Sequence, residues 1–238
     1  MGKTIFKIIS QIKSLNLINN SYKLYGKIIG YILKVYNEIL DIIYPAEEKC
    51  IICKSDGFIG LCPCCKKSIN RAIFENNNLS YGFYGGILKK LILEFKYESN
   101  YTAGYLLSNF LLEIIEENNI KADVICYVPM TKKAEKKRGF NQCKVIAKNI
   151  SNATGIPVRK CIKKIRNTKE QKTLNKEERI ENLSGAFKVN NVDNIKNRNV
   201  ILIDDVITTG ATISECQNIL KKSGAKKIIV LTIAKSNI

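Results

Sequence analysis

Val200-Ile201-Leu202-Ile203, followed without a break by Asp204-Asp205-Val206-Ile207-Thr208-Thr209-Gly210-Ala211-Thr212, is the stretch on which the fold turns. Four consecutive β-favouring apolar residues read as a buried strand. The two carboxylates then emerge at the carboxyl edge of a sheet, where open α/β folds place their ligands. Thr208, Thr209, Gly210 and Thr212 supply hydroxyls and a flexible backbone ahead of a helical pattern that begins near Ala211. Amide N–H groups and a helix N-terminus can therefore converge on one phosphate. Asp204 and Asp205 would repel that phosphate, yet they are good acceptors for vicinal hydroxyls, so acids beside an anion cradle suit a ribose 5-phosphate. The plainer alternative is an exposed turn, because Asp, Thr and Gly all favour turns.

Outward from this stretch, strands and helices alternate. The apolar rows Ile87, Leu88, Leu91, Ile92, Phe95 and Leu106, Leu107, Phe110, Leu111, Ile114, Ile115 predict two helices ahead of a first sheet strand over residues 123–129. A loop, a helix from about 140 to 152, a strand near 158–162 and a long polar segment lead to the motif strand and its helix. A last strand over 227–234 follows Gly224. The expectation is an α/β fold with a doubly wound, mostly parallel sheet. Three regions follow: an amphipathic helical extension over residues 1–45, a cysteine module over 46–72, and the sheet domain over 73–238.

The extension carries apolar stripes at Ile5, Ile8, Ile9, Ile12 and Leu15, then at Ile28, Ile29, Ile32, Leu33, Tyr36, Ile39, Leu40 and Ile43. Lysines at 3, 7, 13, 23, 27 and 34 interrupt it, so no run reaches the roughly twenty apolar residues that span a bilayer. Such helices lie on a membrane surface, bind a partner or pack on the protein's own body.

At 238 residues, 45% hydrophobic and 25% charged, the chain has the composition of a globular protein able to bury a full core and a small extra module. It contains no histidine. That excludes Ser-His-Asp and Cys-His catalysis, imidazole bases and histidine-bound metals, leaving carboxylates, lysines, hydroxyls, thiols or a borrowed metal ion. No Gly-x4-Gly-Lys-Ser/Thr phosphate loop is present.

Cys50-Ile-Ile-Cys53, eight residues, then Cys62-Pro-Cys64-Cys65 is a paired Cys-x-x-Cys pattern. Two such knuckles are what tetrahedral thiolate coordination of zinc requires, with Cys50, Cys53, Cys62 and Cys65 as ligands and Cys64 as a substitute for Cys65. A four-thiolate site leaves no open position, so the metal would be structural. Disulfides compete with this reading, but the clustering and the lack of a signal peptide point to a reducing, cytoplasmic compartment, membrane-peripheral if the N-terminal helices lie on a bilayer. Cys126, Cys143, Cys161 and Cys216 stand singly and read as packing residues or free thiols.

The net charge is +18, and residues 130–185 hold 16 Lys and Arg against 5 Asp and Glu, whereas residues 50–129 balance at 8 and 8. Within the basic segment, Thr131, Lys132, Lys133 and Arg138 follow the strand over 123–129 at a carboxyl edge, which would face a polyanion such as pyrophosphate or a nucleic-acid backbone. A solvated lysine surface is the plainer reading. Single-stranded DNA is the alternative ligand, with Tyr81, Tyr84, Tyr97 and Tyr101 as stacking candidates.

The Asp204–Thr212 segment resembles the phosphoribosyl pyrophosphate (PRPP) motif of type I phosphoribosyltransferases. That resemblance implies that Asp204 and Asp205 contact the ribose hydroxyls and that Thr208, Thr209, Gly210, Ala211 and Thr212 hold the 5-phosphate. Three further elements extend the match: the paired cysteines, Arg138-Gly139-Phe140-Asn141-Gln142, and the run from Arg166 through Thr168, Gln171, Leu174, Arg179 and Asn182 to Gly185-Ala186-Phe187. Together they resemble the ComF family of competence-associated, phosphoribosyltransferase-like proteins from about residue 40 to 238. The resemblance implies a zinc ribbon joined to a phosphoribosyltransferase-type domain that binds PRPP with Mg2+, with Arg138 and the acidic pair as catalytic candidates. It also implies a link to DNA uptake and to a DNA-translocating ATPase.

Overall fold

The computed structural model describes residues 48–72, 77–166, 183 and 185–236. The expected extension over 1–45 and most of the polar segment, with Thr168, Gln171, Leu174, Arg179 and Asn182, lie outside them. In chain order the elements are α1 (Pro63–Lys67), β1 (Asn78–Phe83), α2 (Gly86–Tyr97), α3 (Tyr101–Glu117), β2 (Val124–Tyr127), α4 (Lys132–Arg138) and α5 (Gln142–Thr154). They continue with β3 (Ile162–Lys164), β4 (Phe187–Val189), β5 (Asn199–Ile207), α6 (Ala211–Lys222) and β6 (Lys227–Lys235).

Four strands form a wholly parallel sheet in the order β1-β6-β5-β2, with the motif strand β5 inside it. Side chains along a strand alternate between faces. In β5, Ile201 and Ile203 enter a core shared with Leu91, Ile92 and Phe95 of α2, Leu107 and Leu111 of α3 and Ile146 and Ile150 of α5. Val200 and Leu202 enter the opposite core, with Ile213, Cys216 and Leu220 of α6 and Phe187 of β4. Each such side chain, fully buried, contributes roughly 1.5–3 kcal/mol. The sheet is thus covered on both faces, as a doubly wound α/β fold requires. No helix among the described residues is long and apolar enough to cross a membrane.

Several expectations are corrected. A strand, β1, precedes α2 and α3, where two helices alone were expected. Its sequence Asn78-Leu-Ser-Tyr-Gly-Phe83 lacks an apolar run because Ser80 pairs with the Thr232 hydroxyl at 2.7 Å and Gly82 lies against backbone. A Cβ at Gly82 would fall 2.6 Å from the Asn70 carbonyl oxygen. The strand expected near 158–162 is not in the main sheet: Val158 makes one isolated bridge to Ile125, and Ile162–Lys164 pairs antiparallel with Phe187–Val189.

The loop expected after β2 is a helix. The Thr131 hydroxyl accepts the Ala134 N–H at its start and Gly139, in the left-handed region at φ 84°, ends it. The next helix begins at Gln142 rather than near 140, because the Asn141 side chain caps it through the Lys144 N–H. Cys126 and Cys161, read as unpaired, are joined by a disulfide, while Cys143 and Cys216 are free and buried. Cys126 and Cys161 lie 35 residues apart, so no local spacing announced the pair.

Candidate functional site

Strand β5 continues through the two acids to Ile207, so the alternation that sorts its apolar residues also sorts Asp204 and Asp205. Asp205 lies on the side of Ile201 and Ile203, facing α2 and α5. There the Lys96 ammonium pairs with its Oδ2 at 2.7 Å and the Gln142 amide donates to the same oxygen at 2.5 Å. Asp204 Oδ1 accepts the Asp205 N–H at 2.9 Å and the Cys143 thiol at 3.5 Å.

These contacts separate the two acids electrically. Burial would raise the Asp205 pKa, but the Lys96 charge and the Lys96 and Gln142 hydrogen bonds outweigh it and hold the group below its ordinary value. Asp204 is pushed up to about 7, first by burial and then by the neighbouring Asp205 charge. Burial and the two acids also drive the Cys143 thiol well above its usual value, so it stays protonated.

Beyond the acids, the chain passes through Thr208, Thr209 and Gly210 into α6. Gly210 takes φ 76°, a left-handed conformation that a side chain would strain, and it caps α6 with no side-chain hydrogen bond. The first N–H groups of a helix have no partner within it and carry the positive end of its dipole. They open into a pocket of about 170 Å3 lined by Val128, both acids and every residue from Val206 to Ile213. Thr208, Thr209, Gly210, Ala211 and Thr212 all line it together with Asp204 and Asp205.

Register brings β2 alongside, with Tyr127 opposite Ile203 and the Val128 N–H donating to the Ile203 carbonyl at 2.9 Å. The chain then enters α4 at this same carboxyl edge. Arg138, at the end of α4, donates to Gln142 Oε1 at 2.7 Å, and Gln142 in turn donates to Asp205. The guanidinium also lies 5.5 Å from the centre of the Tyr97 ring. Thr131 serves as the cap of α4, and Lys132 and Lys133 are exposed in its first turn. The cation on the acidic pair is therefore Lys96, from a different helix.

The cysteine module forms a second cluster. One sulfur from each of Cys50, Cys53, Cys62 and Cys65 lies within 4.8 Å of the others, and none is in a disulfide. Cys53 and Cys62 sulfurs are 3.6 Å apart, close to the edge of about 3.8 Å of a tetrahedron built on 2.3 Å zinc–sulfur bonds. Backbone N–H groups of Cys62 and Cys65 point at the Cys50 and Cys62 sulfurs at 3.4 Å each. Burial opposes ionisation of Cys50, yet N–H groups of Cys62, Cys53 and Ile52 bring it down to about 6. Burial and the crowding of Cys62, Cys53 and Cys50 push Cys65 up to about 12. Cys64 is exposed and outside the cluster.

Sequence reasoning missed Lys96, placed Gln142 only within the Arg138–Gln142 element and read Cys143 only as a packing residue or free thiol. The signal was faint but present. Leu88, Ile92 and Lys96 share a row at i, i+4 and i+8 on an apolar helix face, as do Gln142, Ile146 and Ile150. A polar residue closing such a row needs a buried partner. Tyr81 is corrected in the other direction: it is 2% exposed and stacks on Phe110 at 4.2 Å, so it is a core residue.

Residues 137–238 match the family model described as "Phosphoribosyl transferase domain". "Competence protein F" of Haemophilus influenzae is 30% identical over 162 residues, covering 65% of this chain and 71% of that protein. The chain belongs to the ComF family. "Competence protein ComFC" of Bacillus subtilis is 25% identical over 220 residues, 83% of this chain and 88% of the relative. "DNA utilization protein YhgH" of Escherichia coli K12 is 26% identical over 159 residues, 64% and 69% of the two chains. In this ComF-family protein, the Arg138–Gln142 element is in contact with the acidic pair, while Ala186 and Phe187 are buried in the core beneath α6.

Proposed function

We propose that this chain binds PRPP, or a related ribose 5-phosphate, with Mg2+ at the carboxyl edge of β5, and that the site is equipped for phosphoribosyl transfer in a protein linked to DNA uptake. One observation carries the reading: the acidic pair and the glycine-hinged loop ahead of α6 line a single pocket. In this reading the α6 N-terminus and Thr208, Thr209, Gly210, Ala211 and Thr212 receive the 5-phosphate, and Asp204 and Asp205 accept the ribose hydroxyls.

Departure of pyrophosphate from the anomeric carbon gathers negative charge on the leaving group. Arg138, with Thr131, Lys132 and Lys133 on the same edge, would meet that charge. Mg2+, when bound, supplies neutralisation of the same oxygens. The acids suit a magnesium complex because they are hard oxygen donors, although Lys96 already satisfies one of them. The four thiols fit a structural zinc ion by their count and spacing. The link to DNA uptake is supported by the names of the two competence relatives.

Calorimetric titration with PRPP and Mg2+ tests the binding, and pyrophosphate release against a panel of bases tests transfer. Saturable binding that is lost in Asp204→Asn with Asp205→Asn is expected. No binding by the intact chain, or equal binding by that variant, refutes the reading.

A second reading is favoured by one surface. Tyr97, Tyr101 and Tyr105 are 59%, 60% and 60% exposed, and Tyr97 lies under the Arg138 guanidinium, a combination that suits single-stranded DNA. Affinity that falls steeply with salt and with neutralisation of Lys132, Lys133, Lys136 and Lys137 is expected of it.

A further inference from the structure

Lys96 is placed where a surface lysine is not found. Its side chain is 17% exposed and that of Asp205 12%, and the residues one and two turns before it on the same row, Ile92 and Leu88, lie in the core. A buried ammonium without a partner is strongly disfavoured, so this position requires the carboxylate it meets at 2.7 Å. Gln142 donates to the same oxygen and is itself oriented by Arg138, so the Asp205 carboxylate is held from two helices at once.

Two adjacent, desolvated carboxylates would carry two negative charges beside the pocket. With Lys96 included, the group carries at most one, and the repulsion felt by an anionic sugar phosphate falls accordingly. Lys96 also supplies the charge that a free cation would bring to Cys143, Asp204 and Asp205, whose ligand atoms lie within 4.8 Å of one another.

We propose that Lys96 is a positioning residue of this site: it fixes Asp205 and serves as the resident counter-charge of the acidic pair, admitting an anionic ribose phosphate and keeping a free divalent cation from settling there. The ribose-phosphate half of this role rests on the reading above; the counter-charge half does not.

The full-length, zinc-loaded chain is titrated by calorimetry with PRPP plus Mg2+ and, separately, with Mn2+ alone. In Lys96→Met, PRPP affinity is expected to fall about tenfold or more, while Lys96→Arg stays within about threefold of the parent. Adding Asp205→Asn to Lys96→Met should cost little further affinity, a non-additivity that a merely structural lysine would not give. Lys96→Met should also take up one Mn2+ more than the parent chain, and Asp205→Asn should abolish it. Equal PRPP affinity in parent and Lys96→Met, failure of Lys96→Arg to rescue, or no added Mn2+ each overturns the proposal. If the parent binds no PRPP, the ribose-phosphate reading fails and the Mn2+ result alone decides the counter-charge role. If Lys96→Met does not fold, the double variant replaces it: restored folding supports the proposal, and failure of both variants to fold overturns it.

Discussion

The cysteine cluster and the acidic-pair site are built in opposite ways. All four sulfurs of the first come from residues 50–65, on two knuckles whose spacing along the chain is nearly their spacing in space. The second draws Lys96 from α2, Gln142 and Cys143 from α5 and Asp204 and Asp205 from β5, so it exists only once the sheet and its helical layer have formed. The first is a set of thiols crowded enough to push Cys65 up to about 12. The second carries its own cation. A local cluster of like groups can be satisfied by a metal ion, whereas a long-range cluster can be balanced by a side chain of the fold.

The sharpest way to break this contrast is to disable the local cluster. Cys62 is its central member, 3.6 Å from the Cys53 sulfur and accepting the Cys65 N–H. In Cys62→Ser, metal content is expected to fall from one zinc per chain to none by atomic emission, and residues 48–72 should lose hydrogen-exchange protection. Binding free energy at closed thiolate sites, about 10–16 kcal/mol in zinc-finger peptides, is folding free energy, so the effect should be the largest of those considered. PRPP affinity unchanged within about threefold would show that the acidic site stands apart, because distant sites act additively. Collapse of both together would break the comparison.

The converse change is Lys96→Met. Removing one partner of a buried ion pair leaves the other uncompensated, at a cost of about 3–5 kcal/mol in unfolding free energy. Urea denaturation measures that loss, and zinc content should remain that of the parent chain. A loss below about 1 kcal/mol would mean that Asp205 finds another partner.

The same contrast explains what the sequence made legible. The parallel strand running into Asp204-Asp205, the glycine-hinged loop and the paired cysteines were readable because each is contiguous. Lys96 was hidden because its partner, Asp205, lies more than 100 residues further on. β1 was hidden because Ser80 and Gly82 take their places through contacts with Thr232 and Asn70, and polar or missing side chains erase the apolar signal. The Cys126–Cys161 bond was hidden because its two cysteines lie 35 residues apart. α4 was mistaken for a loop because its seven residues, Lys-Lys-Ala-Glu-Lys-Lys-Arg, have no buried member to give a period, and its boundaries are set by Thr131 and Gly139.

A smaller effect separates the two acids. Asp204 has a folded pKa raised to about 7 from an ordinary 3.8, so the folded chain keeps a proton that the unfolded chain releases. Stability therefore falls as pH rises between those values, and the penalty is complete above the folded pKa. Asp204→Asn carries no such penalty. Near pH 8 it should be more stable than the parent by on the order of 2 kcal/mol, and near pH 3, below both values, the difference should vanish. Asp205→Asn should not stabilise at any of these pH values, because Asp205 is held below its ordinary value and its charge is compensated. Thermal melting across this range checks both signs, and equal responses of the two variants would show that the pair is not divided as Lys96 divides it.

The smallest effect concerns the rim where the cysteine segment meets the sheet domain. Arg71 pairs with Glu117 at 2.6 Å and Glu113 at 3.5 Å and lies 4.1 Å from the centre of the Tyr81 ring. Its side chain is 37% exposed, so water screens both pairs and most of what remains is the contact with the ring. Arg71→Ala should cost about 1 kcal/mol, and part of that should persist at about 1 M salt, where ion pairs are screened within about 3 Å but a ring contact is not. Lysine at this position keeps the charge and loses the planar stacking, so Arg71→Lys should recover only the salt-sensitive part. If instead Arg71→Ala matched Lys96→Met in magnitude, the attachment of the cysteine segment would depend on this surface network, and the cysteine cluster could not be regarded as holding its own segment together.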